Sequence, residues 1–220
     1  MDIMQQATGV SKAAFLLAEL LQQHLDNKET VILGLPGGRT MPSLLKMLAR
    51  YQLTWDRVHV FFVDERLVPR DHQESNFFQI ASSLQQLPDK NIHPFIFDKS
   101  KDEKGIRQYQ QEFNQFGSSF DVLVVSAGED GHIASLFPHH PSIKNQSLGF
   151  ILVEDAPKPP PKRMSISSKL LLQSKSGMIL FCGTQKQQAF SQFLDENMQP
   201  EECPATLMHQ LPQSVVITDF

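Results

Sequence analysis

Apolar residues along the chain form two recurring patterns, short unbroken runs and stripes at helical spacing. The unbroken runs predict buried strands at 31–35, 58–63, 120–125, 150–153 and 178–182. Spacings of three and four residues predict helices over 11–25, 43–48, 74–86, 102–116 and from 186 to about 197. A short strand with a leucine-rich helical turn over 163–173 and a last short helix and strand complete the pattern. Because strands and helices alternate, we expect an α/β fold with one parallel-rich open sheet and helices on both faces.

Length and composition favour a single domain that spans residues 1–220. A net charge of −4 and a sequence pI near 6.0 give no general attraction to nucleic acid or to an anionic membrane, so we expect neither as a partner. No apolar run approaches the ~20 residues of a membrane-spanning helix, and the first residues lack the pattern of a signal peptide. We therefore expect a cytoplasmic protein.

The cysteines and prolines change this picture little. Cys182 and Cys203 have neither the spacing of a zinc site nor a matching pair of histidines, so free thiols in a reducing compartment are the simpler interpretation. The proline-rich stretch 157–161 is typical of a linker, but the roughly 55 residues after it would make a domain with a small core. We interpret it as a rigid loop that positions Arg163.

The strand predicted at 120–125 ends in a glycine-rich loop, residues 126–138, with candidate chemistry. In open α/β sheets, ligands bind at the carboxyl ends of the strands. His132 has an imidazole that titrates near neutral pH, and Asp130 supplies a carboxylate two residues earlier. Gly128 and Gly131 allow close approach of the backbone to a ligand. The loop is therefore a candidate site, although it does not by itself specify a reaction.

A second glycine-rich turn follows the strand predicted at 31–35. Gly37, Gly38, Arg39 and Thr40 lie between that strand and the next predicted helix. Successive backbone N–H groups in such a turn, together with a helix N-terminus, offer donors and partial positive charge to a phosphate. A Gly-Gly pair is also common in turns that bind no ligand, so both interpretations stay open.

Charged residues follow two further predicted strands. Asp64 and Arg66 come at the end of the strand at 58–63. Either Arg66 pairs with a neighbouring carboxylate on a solvated strand end, or it contacts an anionic substrate and Asp64 belongs to the site. Lys186 falls in the first turn of a predicted helix, which the helix dipole disfavours unless an anion lies nearby. A merely solvated lysine is the alternative there.

Five segments taken together resemble the 6-phosphogluconolactonases of the glucosamine-6-phosphate isomerase/6-phosphogluconolactonase family. They are Gly34-Leu35-Pro36-Gly37-Gly38-Arg39-Thr40, Phe62-Val63-Asp64-Glu65-Arg66-Leu67-Val68-Pro69 with Ser75-Asn76, Asp130-Gly131-His132-Ile133-Ala134-Ser135-Leu136-Phe137-Pro138, Pro160-Pro161-Lys162-Arg163, and Gly183 with Lys186. Their order and spacing match the family along nearly the whole chain. The segment that begins at Asp130, together with Asp64-Glu65-Arg66, is the most specific part of the resemblance.

The resemblance implies a Rossmann-like parallel sheet, no organic cofactor, and hydrolysis of 6-phosphoglucono-1,5-lactone to 6-phosphogluconate in the oxidative pentose phosphate pathway. His132 would take a proton from water, and Asp130 would orient the His132 ring. Asp64 would be the third catalytic residue. The phosphate would bind to the 37–40 turn with Arg163 and Lys186, and Arg66 would be a further cation on the substrate side. The expected partner is thus a small phosphorylated sugar lactone. We expect no metal, and a monomer or a weak homo-oligomer.

Two other functions stay open. Deaminases of the same family typically continue the loop after Ile-Ala with Phe-Asn-Glu-Pro, whereas this chain has Ser135-Leu136-Phe137-Pro138 and lacks that glutamate. A sugar-phosphate-binding protein without turnover would keep the phosphate site, although retention of His132 beside Asp130 disfavours this. Arg39 stands where the family commonly has serine, so it either strengthens phosphate binding or points elsewhere.

Overall fold

The computed structural model describes residues 2–5, 9–97 and 102–220. The strands are β1 Asp2–Gln5, β2 Val31–Leu35, β3 Val58–Phe62, β4 Asp64–Arg66, β5 Ile92–His93, β6 Val122–Ser126, β7 Phe150–Val153, β8 Arg163–Ile166, β9 Ser176–Phe181 and β10 Gln213–Thr218. The α-helices are α1 Gly9–Leu25, α2 Met41–Leu48, α3 Asn76–Ile80, α4 Asp102–Asn114, α5 Ser168–Leu172 and α6 Gln187–Leu194. Short 3-10 turns join several of these elements, among them Pro204–Gln210 before β10.

The main sheet is parallel throughout and has the strand order β1-β10-β9-β6-β2-β3-β5. This confirms the α/β fold and the parallel-rich sheet expected from the sequence. The edge strand β1 pairs with β10 from Asp2 opposite Val215 to Gln5 opposite Thr218. The sequence pattern predicts no strand there, because four residues with only two apolar positions carry no clear periodicity.

Two hydrophobic cores lie on opposite faces of this sheet. In β6, Val122 and Val124 join the core formed with α1 and α2, whereas Leu123 and Val125 join the core formed with α4, α5 and α6. Successive side chains of a strand point to opposite faces, so an unbroken apolar run supplies both cores at once. Helices therefore cover both faces, as expected.

A second, antiparallel sheet has the order β4-β8-β7. The sequence pattern predicts one sheet only, because nothing in these short segments indicates which strand each of them pairs with. Across this sheet, Asp64 pairs with Ser165 and Arg66 pairs with Arg163. The N–H of Ile166 donates to the carbonyl of Val63 at 2.7 Å, which joins the small sheet to the end of β3. Charged residues from distant segments thus meet at the carboxyl edge of the main sheet.

Two predicted helices are shorter than expected. The one predicted over 74–86 is α3, which ends at Ile80 and continues as a 3-10 turn, Ala81–Ser83. The one predicted from residue 186 begins at Gln187, after a 3-10 turn over Thr184–Lys186, and ends at Leu194. Among the helices in the described ranges, none combines the length and the apolar character needed to cross a membrane.

Candidate functional site

A cavity of about 330 Å³ opens at the carboxyl edge of the parallel sheet. Its volume falls at the lower end of the range of ~300–1,000 Å³ typical of small-molecule sites. Loops that follow β2, β6 and β9 form its walls, together with β4 and β8. The predicted site residues that line it are Gly37, Gly38, Arg39, Thr40, Asp64, Arg66, His132, Arg163 and Lys186. The structure therefore brings these residues together around one cavity, with Asp130 behind His132.

His132 and Asp130 form a hydrogen-bonded pair in the loop after β6. Nδ1 of His132 lies 2.5 Å from Oδ1 of Asp130. An ionised carboxylate only accepts hydrogen bonds, so Nδ1 carries the proton and Nε2 keeps a lone pair. Within the described residues Nε2 makes no hydrogen bond, and the imidazole, 16% exposed, is part of the cavity wall. The pair thus offers a neutral imidazole nitrogen as a proton acceptor.

The surroundings of the pair favour a neutral imidazole and an ionised carboxylate. Burial lowers the pKa of His132 and outweighs Asp130, which raises it. Burial by itself would raise the pKa of Asp130, but the hydrogen bond from His132 and the nearby Lys158 ammonium bring that pKa well below its ordinary value. At neutral pH the site therefore contains a base that can take a proton and an anion that can stabilise the resulting cation.

Glycines in the same loop allow the imidazole to pack against the backbone. The N–H of Gly128 donates to the carbonyl of His132 at 2.7 Å. A Cβ at Gly128 would lie 2.5 Å from Oδ1 of Asp130 and closer still to the His132 ring. Gly131 has a φ of +80°, a left-handed conformation that favours glycine. The two glycines are therefore needed to place the histidine, whatever ligand binds.

The Gly37-Gly38 turn is shaped by residues of α3. A Cβ at Gly37 would lie 2.8 Å from Cβ of Asn76, so only glycine fits there. Gly38 has a φ of +104°, and its N–H donates to Oε1 of Gln79 at 3.1 Å. The space around its Cα is open. The turn therefore lines the cavity beside the N-terminus of α2, with the N–H of Gly38 engaged by Gln79.

Arg39, Thr40 and Lys186 form the neighbouring rim. Arg39 is exposed, and Thr40 precedes α2 without a side-chain cap to it. Nζ of Lys186 donates to the carbonyl of Ala127 at 2.6 Å, and burial lowers the pKa of this lysine. Lys186 is thus held in the site by the loop that carries His132, rather than solvated on a helix.

Asp64 is 5% exposed and is held by neutral donors. Nδ2 of Asn76 donates to its Oδ1 at 3.1 Å, and Oγ of Ser135 donates to its Oδ2 at 3.0 Å. The N–H of Ser135 in turn donates to Oγ of Ser165 at 3.1 Å. These bonds join the His132 loop to two strands of the small sheet, β4 and β8, and fix the carboxylate at the cavity wall.

Two arginines approach the cavity from the small sheet. Arg66 donates from Nη1 to the carbonyl of Glu74 at 2.8 Å and lies 3.7 Å from the Glu74 carboxylate. Arg66 thus pairs with a carboxylate, as the first interpretation expects, and it also lines the cavity. Arg163 is 3% exposed, and its Nε and Nη2 donate to the carbonyls of Pro160, Lys158 and Pro159 at 3.0, 2.9 and 3.3 Å. Much of its guanidinium is thus engaged in holding its own loop.

Sequence reasoning missed three residues that build the site. Asn76 had been noted only as part of the resemblance, and its bond to Asp64 depends on a long-range contact. Glu65 is 2% exposed and accepts from the N–H groups of Arg66, Asn76 and Phe77, which anchors the start of α3. Burial raises the pKa of Glu65 against these hydrogen bonds. The third is Lys158, whose ammonium lies 2.9 Å from Oδ2 of Asp130. Its place in a charged, proline-rich loop before Arg163 was the available signal.

Over the ranges that the structure describes, no group of three or more His, Cys, Asp or Glu side chains is arranged to hold a metal ion. Cys182 lines the cavity and Cys203 packs beneath Gly131, both as free thiols. Burial raises the pKa of each thiol, that of Cys182 to about 11. Neither thiol is therefore disposed to act as a nucleophile at neutral pH.

Comparison with known proteins gives a consistent result. The family model described as glucosamine-6-phosphate isomerases/6-phosphogluconolactonase matches residues 5–217. The 6-phosphogluconolactonase of Borreliella burgdorferi is 33% identical over 209 residues, covering 92% of this chain and 89% of the relative. That of a Synechocystis species is 32% identical over 195 residues, covering 84% and 79%. The crystal structure of 6-phosphogluconolactonase from Thermotoga maritima superposes with a TM-score of 0.87 at 26% identity, covering 98% of each chain. The resemblance seen in the sequence is confirmed, and the chain belongs to the glucosamine-6-phosphate isomerase/6-phosphogluconolactonase family.

Proposed function

We propose that the protein is a 6-phosphogluconolactonase, which hydrolyses 6-phosphoglucono-1,5-lactone to 6-phosphogluconate with His132 as the general base. Relatives that match most of the chain carry this name. The observation that carries the proposal is the position of His132, oriented by Asp130, in one cavity with Arg66, Arg163 and Lys186. A proton acceptor and a group of cations suit a substrate that combines an ester carbonyl with a phosphate dianion.

In the proposed reaction, Nε2 of His132 takes a proton from a water molecule as the water oxygen attacks the lactone carbonyl. The Asp130 carboxylate stabilises the imidazolium through Nδ1. The oxyanion of the tetrahedral intermediate requires a donor at the cavity wall other than the N–H groups of Gly38 and Gly128, which are bonded to Gln79 and His132. When the intermediate collapses, the bond from the carbonyl carbon to the ring oxygen breaks and the imidazolium returns its proton to that oxygen. One water is consumed, and a hydroxyl and a carboxylic acid are formed.

The substrate phosphate is proposed to bind between the Gly37-Gly38 turn and the cations Arg163 and Lys186, with Arg66 on the substrate side. Both glycines of the turn line the cavity, and Lys186 is fixed at the rim by its bond to Ala127. A dianion held at this end would set the distance of the carbonyl from His132, so binding energy remote from the reaction would position the reacting atoms.

Phe137 argues against the deaminase alternative. It stands at the position of the glutamate in the Phe-Asn-Glu-Pro pattern, is fully buried, and packs on the His132 ring with 4.7 Å between ring centroids. A monomeric glucosamine-6-phosphate deaminase superposes with a TM-score of 0.83 at 21% identity, which shows a common fold only. With an apolar ring where the deaminase has a carboxylate, the site lacks that acid–base group.

The test is the hydrolysis rate of 6-phosphoglucono-1,5-lactone, corrected for its spontaneous hydrolysis, beside ammonia release from glucosamine 6-phosphate. We expect fast lactone hydrolysis and no ammonia. Lactone hydrolysis no faster than in buffer, together with tight binding of 6-phosphogluconate, would favour the non-turnover binding protein, and ammonia release would favour the deaminase. Either result would refute the proposal.

A further inference from the structure

Lys158 lies against the outer side of the His132–Asp130 pair. Its Nζ is 2.9 Å from Oδ2 of Asp130, the oxygen that does not face the histidine, and 3.4 Å from Nδ1 of His132. Because Nδ1 donates its proton to Oδ1, the contact of Lys158 with the ring is electrostatic rather than a hydrogen bond. One carboxylate is thus held between an imidazole and an ammonium, one on each oxygen.

The backbone at Lys158 is fixed although its side chain is 42% exposed. Arg163 donates to the carbonyl of Lys158 at 2.9 Å and to those of the two following prolines. Across the same loop, the N–H of Ala156 donates to the carbonyl of Pro161 at 3.0 Å. The loop is therefore held by a buried arginine that lines the cavity, and these hydrogen bonds fix the backbone position from which Lys158 reaches Asp130.

We propose that Lys158 is a positioning residue for the His132–Asp130 pair. Lys158 holds Oδ2 of Asp130, so that Oδ1 stays on Nδ1 of His132, and its charge opposes protonation of the resting imidazole. This role rests on the proposed lactonase function, since it concerns the base of that reaction. The lysine acts through Asp130 and by its charge, and does not itself exchange a proton with the substrate.

Charged groups act on the imidazole in opposite directions. Asp130, in direct contact, and Asp64, which lines the same cavity, favour the imidazolium, whereas burial and Lys158 disfavour it. Without this counter-charge, a histidine beside two carboxylates would bind a proton more readily, and a smaller fraction of it would be neutral at mildly acid pH. The lysine thus allows the enzyme to keep an orienting carboxylate and still present a neutral base below pH 7.

The direct test is an NMR titration of the His132 imidazole in the wild-type protein and in Lys158→Gln, Lys158→Arg and Lys162→Gln. Lys162→Gln is the matched control, because it removes the same charge from the same loop at a lysine that faces Asp102 and Glu154. An ammonium at this distance, screened nearly as in water, changes the imidazole midpoint by about 0.5 to 1 pH unit. We expect the imidazole midpoint to rise by this amount in Lys158→Gln, because the ammonium is removed. It should stay close to the wild-type value in Lys158→Arg and Lys162→Gln.

The pH profile of kcat/KM for lactone hydrolysis should change in the same way. Lys158→Gln is expected to lose about three- to tenfold on the acid limb, beyond any loss that it shows above pH 8, where the imidazole is neutral in both proteins. An unchanged midpoint in folded Lys158→Gln, or an equal shift in Lys158→Arg, would overturn the proposal. The titration does not depend on turnover, so it decides the role of Lys158 even if the wild-type protein proves inactive, which would refute only the proposed function.

Discussion

Replacement of Gly128 by alanine tests the packing of the catalytic loop without touching a catalytic group. The added Cβ would lie 2.5 Å from Oδ1 of Asp130 and closer to the His132 ring, whereas ordinary contacts lie at about 3.5–4.0 Å. Because the Cβ would clash with both side chains, both members of the pair must move away from it by about 1 Å or more. The φ of Gly128 is not in the left-handed region, so the alanine backbone itself is unstrained. The perturbation thus acts on the pair rather than on the loop conformation.

A displacement of about 1 Å in a catalytic group costs on the order of 10²-fold in rate, and overpacking costs about 1–3 kcal/mol of stability. We therefore expect Gly128→Ala to fold, to lose about 10²-fold in kcat for 6-phosphoglucono-1,5-lactone, and to bind 6-phosphogluconate nearly as well as the wild-type protein. Turnover is measured against spontaneous hydrolysis, and binding by calorimetry.

The matched control is Gly105→Ala in α4. Its Cβ would meet the Phe95 ring at 3.5 Å, an ordinary contact, and alanine within a helix is favoured over glycine by about 0.5–1 kcal/mol. We expect full activity and slightly higher stability in this variant. Wild-type turnover in Gly128→Ala, or an equal loss in Gly105→Ala, would refute the geometry assigned to the His132–Asp130 pair.

Three further predictions concern binding and stability. Arg163→Ala removes a buried guanidinium that lines the cavity, so calorimetry should show about 10- to 100-fold weaker binding of 6-phosphogluconate, and unchanged affinity would contradict the phosphate assignment. Glu65→Gln places an amide where backbone N–H groups need acceptors and should lower the free energy of unfolding in urea by about 1–3 kcal/mol, whereas exposed Glu103→Gln should change it by less than about 0.5 kcal/mol. Burial and the adjacent His93 lower the pKa of His59 from 6.5 to about 4. Between these pH values the unfolded chain therefore binds a proton at His59 that the folded protein does not bind, so the free energy of unfolding should rise with pH over this range. The urea midpoints of unfolding at about pH 4.5 and pH 7 should differ less in His59→Gln than in the wild-type protein. An equal difference would show that His59 does not cause the rise of stability with pH.

The central strands of the main sheet could be predicted because they are apolar on both faces, unlike the edge strands β1 and β5. The run that contains Val122 to Val125 has this pattern, and the parallel arrangement then places the loop with His132 beside the turn at Gly37. Positions at the carboxyl ends of neighbouring strands converge for this geometric reason, so the cavity could be anticipated without any contact being known.

The small sheet and the contacts around Asp130 depend on pairings that no local pattern encodes. β4 has three charged residues and no apolar alternation, so its pairing with β8 at Arg163 follows only from tertiary structure. The sequence does not distinguish Lys158 from other charged residues in loops. Its contact with Asp130 forms only because a loop 28 residues further along the chain folds back onto the His132 loop. Likewise, the glycine at 128 suggested ligand approach, whereas the structure shows that the His132 ring itself occupies that space.

Turnover of 6-phosphoglucono-1,5-lactone by wild-type protein and by His132→Gln tests the central claim most directly. Glutamine is polar and of similar size, but it cannot take a proton from water. The proposed mechanism predicts a fall in kcat of about 10²–10⁴-fold, with binding of 6-phosphogluconate within about threefold of the wild-type value. A variant that keeps wild-type turnover after correction for spontaneous hydrolysis would show that His132 is not the base.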